Sequence, residues 1–223
     1  TAGNAIATAI TAASSGAVTV DNTHPTASAV TIAVSGTGNG NNADVITLTI
    51  DPSETIGAPT CTFTSGGAAM ADSSVTYATV GGTDHHTAAI TVADADTDGA
   101  VAFSCTFSDS AGNAVASAVT ALTAGSAITI DNTHPTLSNI AMTTSNSNSG
   151  YAKSGDTITL TITVSETVTG LACTIDGENA NMGGSGTSWT AALTLSGDET
   201  EQNTVFSCGS HVDAAGNAGP ADT

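Results

Sequence analysis

The sequence predicts an all-β chain of two tandem Greek-key sandwiches, the second lacking its last strand. Three observations lead there. Asp21-Asn22-Thr23-His24-Pro25-Thr26 returns as Asp131-Asn132-Thr133-His134-Pro135-Thr136, an offset of 131 − 21 = 110 residues, and a period of that length means tandem domains. Ile, Leu and Val alternate with Thr in short runs, the period-two pattern of half-buried strands. The four cysteines fall as one pair per repeat, Cys61 with Cys105 and Cys173 with Cys208.

Taken in order, the chain divides into residues 1–20, which read as the last strand of a neighbouring or preceding repeat, a first repeat over 21–130 and an incomplete second repeat over 131–223. The best internal match sets DVITLTIDPSET from Asp44 against DTITLTITVSET from Asp156. Ile46, Leu48 and Ile50, and Ile158, Leu160 and Ile162, alternate with Thr there. Further strands are expected at Ser28–Ser35, Thr60–Thr64, Ser74–Val80, His86–Val92 and Val101–Phe107. Their counterparts are Ser138–Thr144, Ala172–Ile175, Trp189–Leu195 and Asn203–Ser207, with the fourth strand weak in repeat two. Residues 114–130 supply the last strand of repeat one. The loops are rich in Gly, Asn, Ser and Asp, and no stretch of useful length has helical period.

Composition excludes several function classes. The net charge is −19 with Lys153 the only lysine or arginine, so nucleic acid and anionic membrane surfaces are repelled, whereas divalent cations are plausible partners. The uncharged stretch Thr1–Val20 has no basic flank and is interrupted by Thr, Ser, Asn and Gly, so it reads as a strand segment and no membrane insertion is expected. Aromatics are 3% of the chain, which leaves light cores that need staples. The cysteine spacing does not suit zinc, and the even, paired placement favours disulfides and an oxidising, extracellular compartment. Four buried thiols are the alternative. With strands lettered A to G, Cys61 and Cys173 lie on C and Cys105 and Cys208 on F, neighbours in one sheet of an immunoglobulin-type sandwich. A Cys61–Cys105 bond stabilises by about 4 kcal/mol through loop closure.

ITIDNTHPT, AKSGDTITLTITVSET, SWTAALTL and DAAGN, fullest in repeat two at Asp131–Thr136, Ala152–Thr167, Trp189–Leu195 and Asp213–Asn217, resemble the immunoglobulin-like (Big-type) repeats of prokaryotic surface proteins and adhesins. Repeat one departs from the pattern at Pro52 and at His86, which stands in place of Trp. The resemblance implies immunoglobulin-like sandwiches at a cell surface, and calcium at their junctions.

Chemistry is expected where the B–C and F–G loops meet the start of strand A. Asp21, Glu54, Asp109 and Asn113 gather there in repeat one, and Asp131, Glu166, Asp213 and Asn217 in repeat two. Carboxylates with an amide oxygen form a hard-oxygen ligand set for calcium, the expected cofactor. The same residues also suit turn chemistry, since Asp-x-Ala-Gly-Asn makes an Asx turn. Asp94-Ala-Asp96-Thr-Asp98-Gly99 reads as a solvated acidic turn, and His85-His86 as an exposed strand start. No nucleophile–base set or carboxylate dyad stands at a believable position, so no enzyme activity is expected.

Repeat two has Gly219-Pro220 where repeat one has the start of strand G, a strand break that leaves a groove beside strand F. The matching text stands at the other end of the chain, for residues 5–11, AIATAIT, parallel residues 114–120, AVASAVT. The expected resolution is a head-to-tail homopolymer. Ile6, Thr8, Ile10, Val18 and Val20 of one copy form the donor-strand interface in the groove of the next, a pilus-like arrangement. The alternative is a segment of a long covalent array of such repeats in an adhesin or stalk. A carbohydrate-binding module is a third reading, poorly served by one Trp and two Tyr.

Overall fold

The computed structural model describes residues 16, 18–36, 38–80, 84–199 and 201–222. No helix occurs among them. Two hydrophobic cores form, each between a pair of antiparallel sheets, as expected for immunoglobulin-like sandwiches.

In repeat one, β1 (Ala27–Val34), β2 (Val45–Pro52), β5 (Thr76–Thr79) and β6 (His86–Thr91) make one sheet in the order β1-β2-β6-β5. The other contains β3 (Thr60–Ser65), β4 (Ala68–Ala69), β7 (Gly99–Thr106) and β8 (Thr129–Ile130), in the order β4-β3-β7-β8. The alternation places Ile46, Leu48 and Ile50 fully inside while the Thr between them face outward. Phe63 pairs with Phe103 across β3 and β7, and Tyr77 of β5 ties the two sheets: its hydroxyl accepts from the Cys61 N–H at 2.8 Å and donates to the Cys61 carbonyl at 3.3 Å.

The last strand of repeat one is not continuous. Val119 exchanges backbone hydrogen bonds with Cys105, Thr123 crosses to Val30 of β1, and Ile128 accepts from Val101 before β8 begins. This path lays Val119, Leu122, Ile128 and Ile130 against the core. It ends with Gly40 donating to Thr129 and accepting from the Asp131 N–H, which fixes the exit toward repeat two.

In repeat two, β9 (Leu137–Thr144), β10 (Thr157–Val168) and β13 (Asn181–Thr194) form a sheet in the order β13-β10-β9. Opposite lie β11 (Ala172–Ile175), β12 (Glu178–Asn179) and β14 (Phe206–Gly209), in the order β12-β11-β14. The counterpart of β6 is expected to begin at Trp189, but β13 starts eight residues earlier, at Asn181, and among the described residues no separate fourth strand forms beside it. The pairing of Ile162 with Trp189 matches that of Ile50 with His86.

Two disulfides are present, Cys61–Cys105 and Cys173–Cys208, each joining directly opposed residues of neighbouring strands. Two expectations are corrected. His86 is not exposed but 8% accessible, because its side chain alternates inward with Ala88 and Ile90, and only its neighbour His85 faces out, 3.7 Å from Asp51. Gly219-Pro220 does not break the pairing of repeat two. Gly219 donates to His211, Ala218 bridges Val212, and Asp222 exchanges hydrogen bonds with Cys208 as Val119 does with Cys105. Pro220 falls between these hydrogen-bonded positions, where no donor is used.

Candidate functional site: two carboxylate clusters and an open cleft

Asp-x-Ala-Gly-Asn builds the floor of each cluster. In repeat one, Asp109 Oδ1 accepts from the Gly112 and Asn113 N–H groups at 2.7 and 2.8 Å, and its Oδ2 accepts from the Asn113 amide at 2.8 Å. The turn requires φ of 96° at Gly112, and of 99° at its counterpart Gly216, a left-handed backbone that favours glycine. Asn113 also donates to the carbonyl of Asp21 at 3.1 Å, which draws the start of β1 onto the F–G turn. His24 Nδ1 donates to the Ala114 carbonyl at 2.7 Å and locks the same junction. Repeat two reproduces the set, with Asn217 donating to Asp213 and to the Asp131 carbonyl, and His134 to Ala218.

On this floor three carboxylates converge. Asp21, Glu54 and Asp109 bring an oxygen each within 4.8 Å of one another, as do Asp131, Glu166 and Asp213. All six carboxylates expected from the sequence therefore gather as two triads. Asn113 and Asn217 stand beside them as donors that orient the aspartates.

The electrostatics follow. The Asn113 amide, aided by the N–H groups of the turn, holds the Asp109 carboxyl below its ordinary range against the opposing effect of burial. Burial pushes Glu54 up, and the charges of Asp21 and Asp109 push it the same way. Glu166 is likewise raised by burial, then by Asp213, Asp131 and Asp98. Each triad thus concentrates negative charge with no Lys or Arg beside it, a setting that a divalent cation would relieve.

The acidic E–F loop of repeat one is exposed at Asp94 and Asp98, as expected, but not at Asp96. Asp96 is buried, and its carboxylate accepts from the N–H groups of Ala71 and Ala93 at 2.6 and 2.9 Å. Asp98 accepts from the Asn132 N–H at 2.7 Å and from the Thr133 hydroxyl at 2.6 Å, while the Asn132 amide donates to the carbonyls of Ala93 and Asp96. The loop is a clamp on the Asp-Asn-Thr linker between the repeats. Sequence reading missed this role of Asp98 and Asn132, although the recurrence of Asp-Asn-Thr-His-Pro was its signal.

The second feature is a cleft of 860 Å³ in repeat two, between residues 149–154, the end of β9, and Gly197, Glu199 and residues 201–204. Its walls are the counterparts of what β8 covers in repeat one. Ala152 stands where Gly40 does and Thr204 where Val101 does, since both repeats close the neighbouring turns with matching hydrogen bonds, Val92 to Asp44 and Leu195 to Asp156. Val30 is 1% accessible under Thr123, whereas its counterpart Ile140 is half-buried and the following inward residue, Met142, is 40% exposed. Of the expected donor residues, Val18 and Val20 are 93% and 80% exposed. Ile6, Thr8 and Ile10 lie outside the described residues.

Comparison with protein-family models finds no match, and comparison with curated proteins finds none either. Among solved structures, the chain is similar to a marsupial T cell receptor at 9% identity and a TM-score of 0.32, covering 92% of this chain and 99% of that one. It is also similar to the titin domains Z1Z2 in complex with telethonin, at 12% identity and a TM-score of 0.26, covering 84% and 91%. Similarity this low carries no argument by itself, and the immunoglobulin-like reading rests on the strand order described above.

Proposed function

We propose that the chain is a structural subunit of an extracellular filament, polymerised head to tail by strand donation. The part of residues 5–20 that follows the match to 114–120 lies in the cleft of repeat two of the next copy and runs on into its own Asp21, as residues 121–130 run through repeat one into Asp131. The place of 114–119 is held in repeat two by its own residues 218–222. The observation that carries this reading is the internal repeat of sequence and seat together. Residues 17–21, AVTVD, match residues 127–131, AITID, whose Ile128 and Ile130 cover the core of repeat one. The walls on which such a segment would sit recur, exposed, in repeat two. Each added strand gains backbone hydrogen bonds and buries alternate apolar side chains, the physics of β-augmentation. A head-to-tail contact of unlike surfaces does not close, so a fibre results. The two disulfides suit an oxidising compartment outside the cell.

Calcium is the proposed cofactor. It would be held by Asp21, Glu54 and Asp109 and by Asp131, Glu166 and Asp213, at the root of each donated or linking strand, where it would stiffen successive junctions. A covalent array is the second reading. It is favoured by one observation: in repeat one the seated strand is continuous in the chain with the following domain. The distinguishing experiment is the mass distribution of the purified chain in millimolar calcium, with and without residues 1–20. A ladder of multimers that collapses to monomer on deletion supports donation. Monomer in both cases supports the array.

A further inference from the structure

We propose that Glu201 is the receptor for the Asp-Asn-Thr segment of an incoming copy, so that a polar clamp at the mouth of the cleft fixes the register of the donated strand. This inference rests on the strand-donation reading and adds a specific pair of residues to it. In repeat one the clamp is closed. There Asp96 shapes the E–F loop by accepting from the Ala93 N–H, and Asp98, two residues on, holds the backbone of Asn132 and the hydroxyl of Thr133. In repeat two Glu199 takes the place of Asp96. It accepts from the Ser196 N–H at 2.7 Å, and Ser196 follows Leu195 as Ala93 follows Val92. Glu201, two residues on from Glu199, then falls at the position of Asp98. It is exposed and lines the cleft.

The other half of the clamp is already shaped for it. Thr23 donates its N–H to Asp21 Oδ1 at 2.9 Å, the same Asx turn that Thr133 makes with Asp131 at 3.2 Å. Asn22 and Thr23 are exposed and are the sequence counterparts of Asn132 and Thr133, whose N–H and hydroxyl Asp98 holds. The partner is therefore a second copy of this chain, recognised by a backbone N–H and a hydroxyl presented to one carboxylate. A strand with period-two side chains slips readily by two residues along a groove. Fixing Asn22 and Thr23 on Glu201 permits only the register that places Val18 opposite Thr204 and Val20 opposite Ala152.

The test is the sedimentation of the full chain in millimolar calcium across concentration. Glu201→Ala and Thr23→Val are each expected to raise the concentration for half-assembly about tenfold, the loss of a charge-assisted hydrogen bond. The double variant is expected to do no worse than either single one, because both remove the same contact. Glu201→Asp, which matches the residue of repeat one, is expected to restore assembly and controls for folding. If Glu201→Ala assembles like the parent while the chain without residues 1–20 stays monomeric, the clamp is wrong and strand donation stands. Additive losses in the double variant would likewise overturn the pairing. If the full chain and the chain without residues 1–20 behave alike, strand donation fails and the clamp fails with it.

Discussion

Repeats one and two are built on the same plan and differ in how their cores are closed. In repeat one Val119, Leu122, Ile128 and Ile130 lie over a core that also holds Phe63, Phe103 and Phe107. In repeat two the core, built on Ile158, Leu160, Ile162, Leu171, Cys173, Ile175 and Cys208 among others, has Phe206 only half-buried at its side, and no segment from 120–130 has a counterpart over it among the described residues. At the F–G turn the exchange is more specific. Phe107 becomes His211, fully buried, and Val115 becomes Gly219, where a Cβ would collide with His211 Nε2. Neither ring nitrogen of His211 has a hydrogen-bond partner. An unsatisfied buried polar ring is a cost that repeat one does not carry. The comparison teaches that a shared strand pattern does not make equal stability. Repeat one is closed over by residues 119–130 of its own chain, and repeat two leaves a cleft at the matching place.

The largest effect separating them is expected from the disulfides. Replacing Cys173 and Cys208 with Ser should cost about 2–5 kcal/mol and unfold repeat two while repeat one persists. Calorimetry that resolves two transitions checks this, and a concerted loss of both would break the comparison. A smaller effect inverts the usual size rule. Val30→Ala should cost about 2 kcal/mol, because Val30 is sealed by Thr123. In a chain lacking residues 1–20, Ile140→Ala should cost less despite removing more atoms, because Ile140 is only partly buried.

Calcium should raise both midpoints, and each triad is separately testable. Glu54→Gln should remove the response of repeat one, and Glu166→Gln that of repeat two. A response that survives both changes would place the ion elsewhere. The smallest effect is one of pH. Glu199 accepts from Ser196 and Gly197 and is held down to about 2 from an ordinary 4.5. Its contribution is therefore complete above about pH 4.5 and is lost as pH falls toward 2, in repeat two alone. Glu199→Gln should weaken the pH dependence of that repeat's midpoint across this window and leave the part carried by Asp156, which the Asn146 amide holds below its ordinary range.

The strands were legible because Thr-for-every-second-residue runs have one physical meaning, and Cys61, Cys105, Cys173 and Cys208 could be paired from the parity of their neighbours. The triads were legible because the Asp-x-Ala-Gly-Asn turn and the loop order of the sandwich bring distant carboxylates to one end. Contacts that depend on how a loop folds back were not. Asp96 looked like solvated charge because nothing local reveals that its carboxylate folds back onto the Ala71 and Ala93 N–H groups, nor that the linker lies on Asp98. His86 looked exposed because a polar residue at a strand start gives no sign of its parity until the register with Ile50 is known. Gly219-Pro220 looked like a break, yet a proline is harmless where its N–H would not have been used.

The measurement that tests the central claim most directly is trans-complementation. The chain lacking residues 1–20 is melted with and without a synthetic peptide of residues 5–23. If the cleft of repeat two is a strand seat, the peptide raises the midpoint of repeat two, leaves that of repeat one unchanged, and protects the Thr204 and Ala152 amides from hydrogen exchange. No shift, or an equal shift in both repeats, would contradict the account.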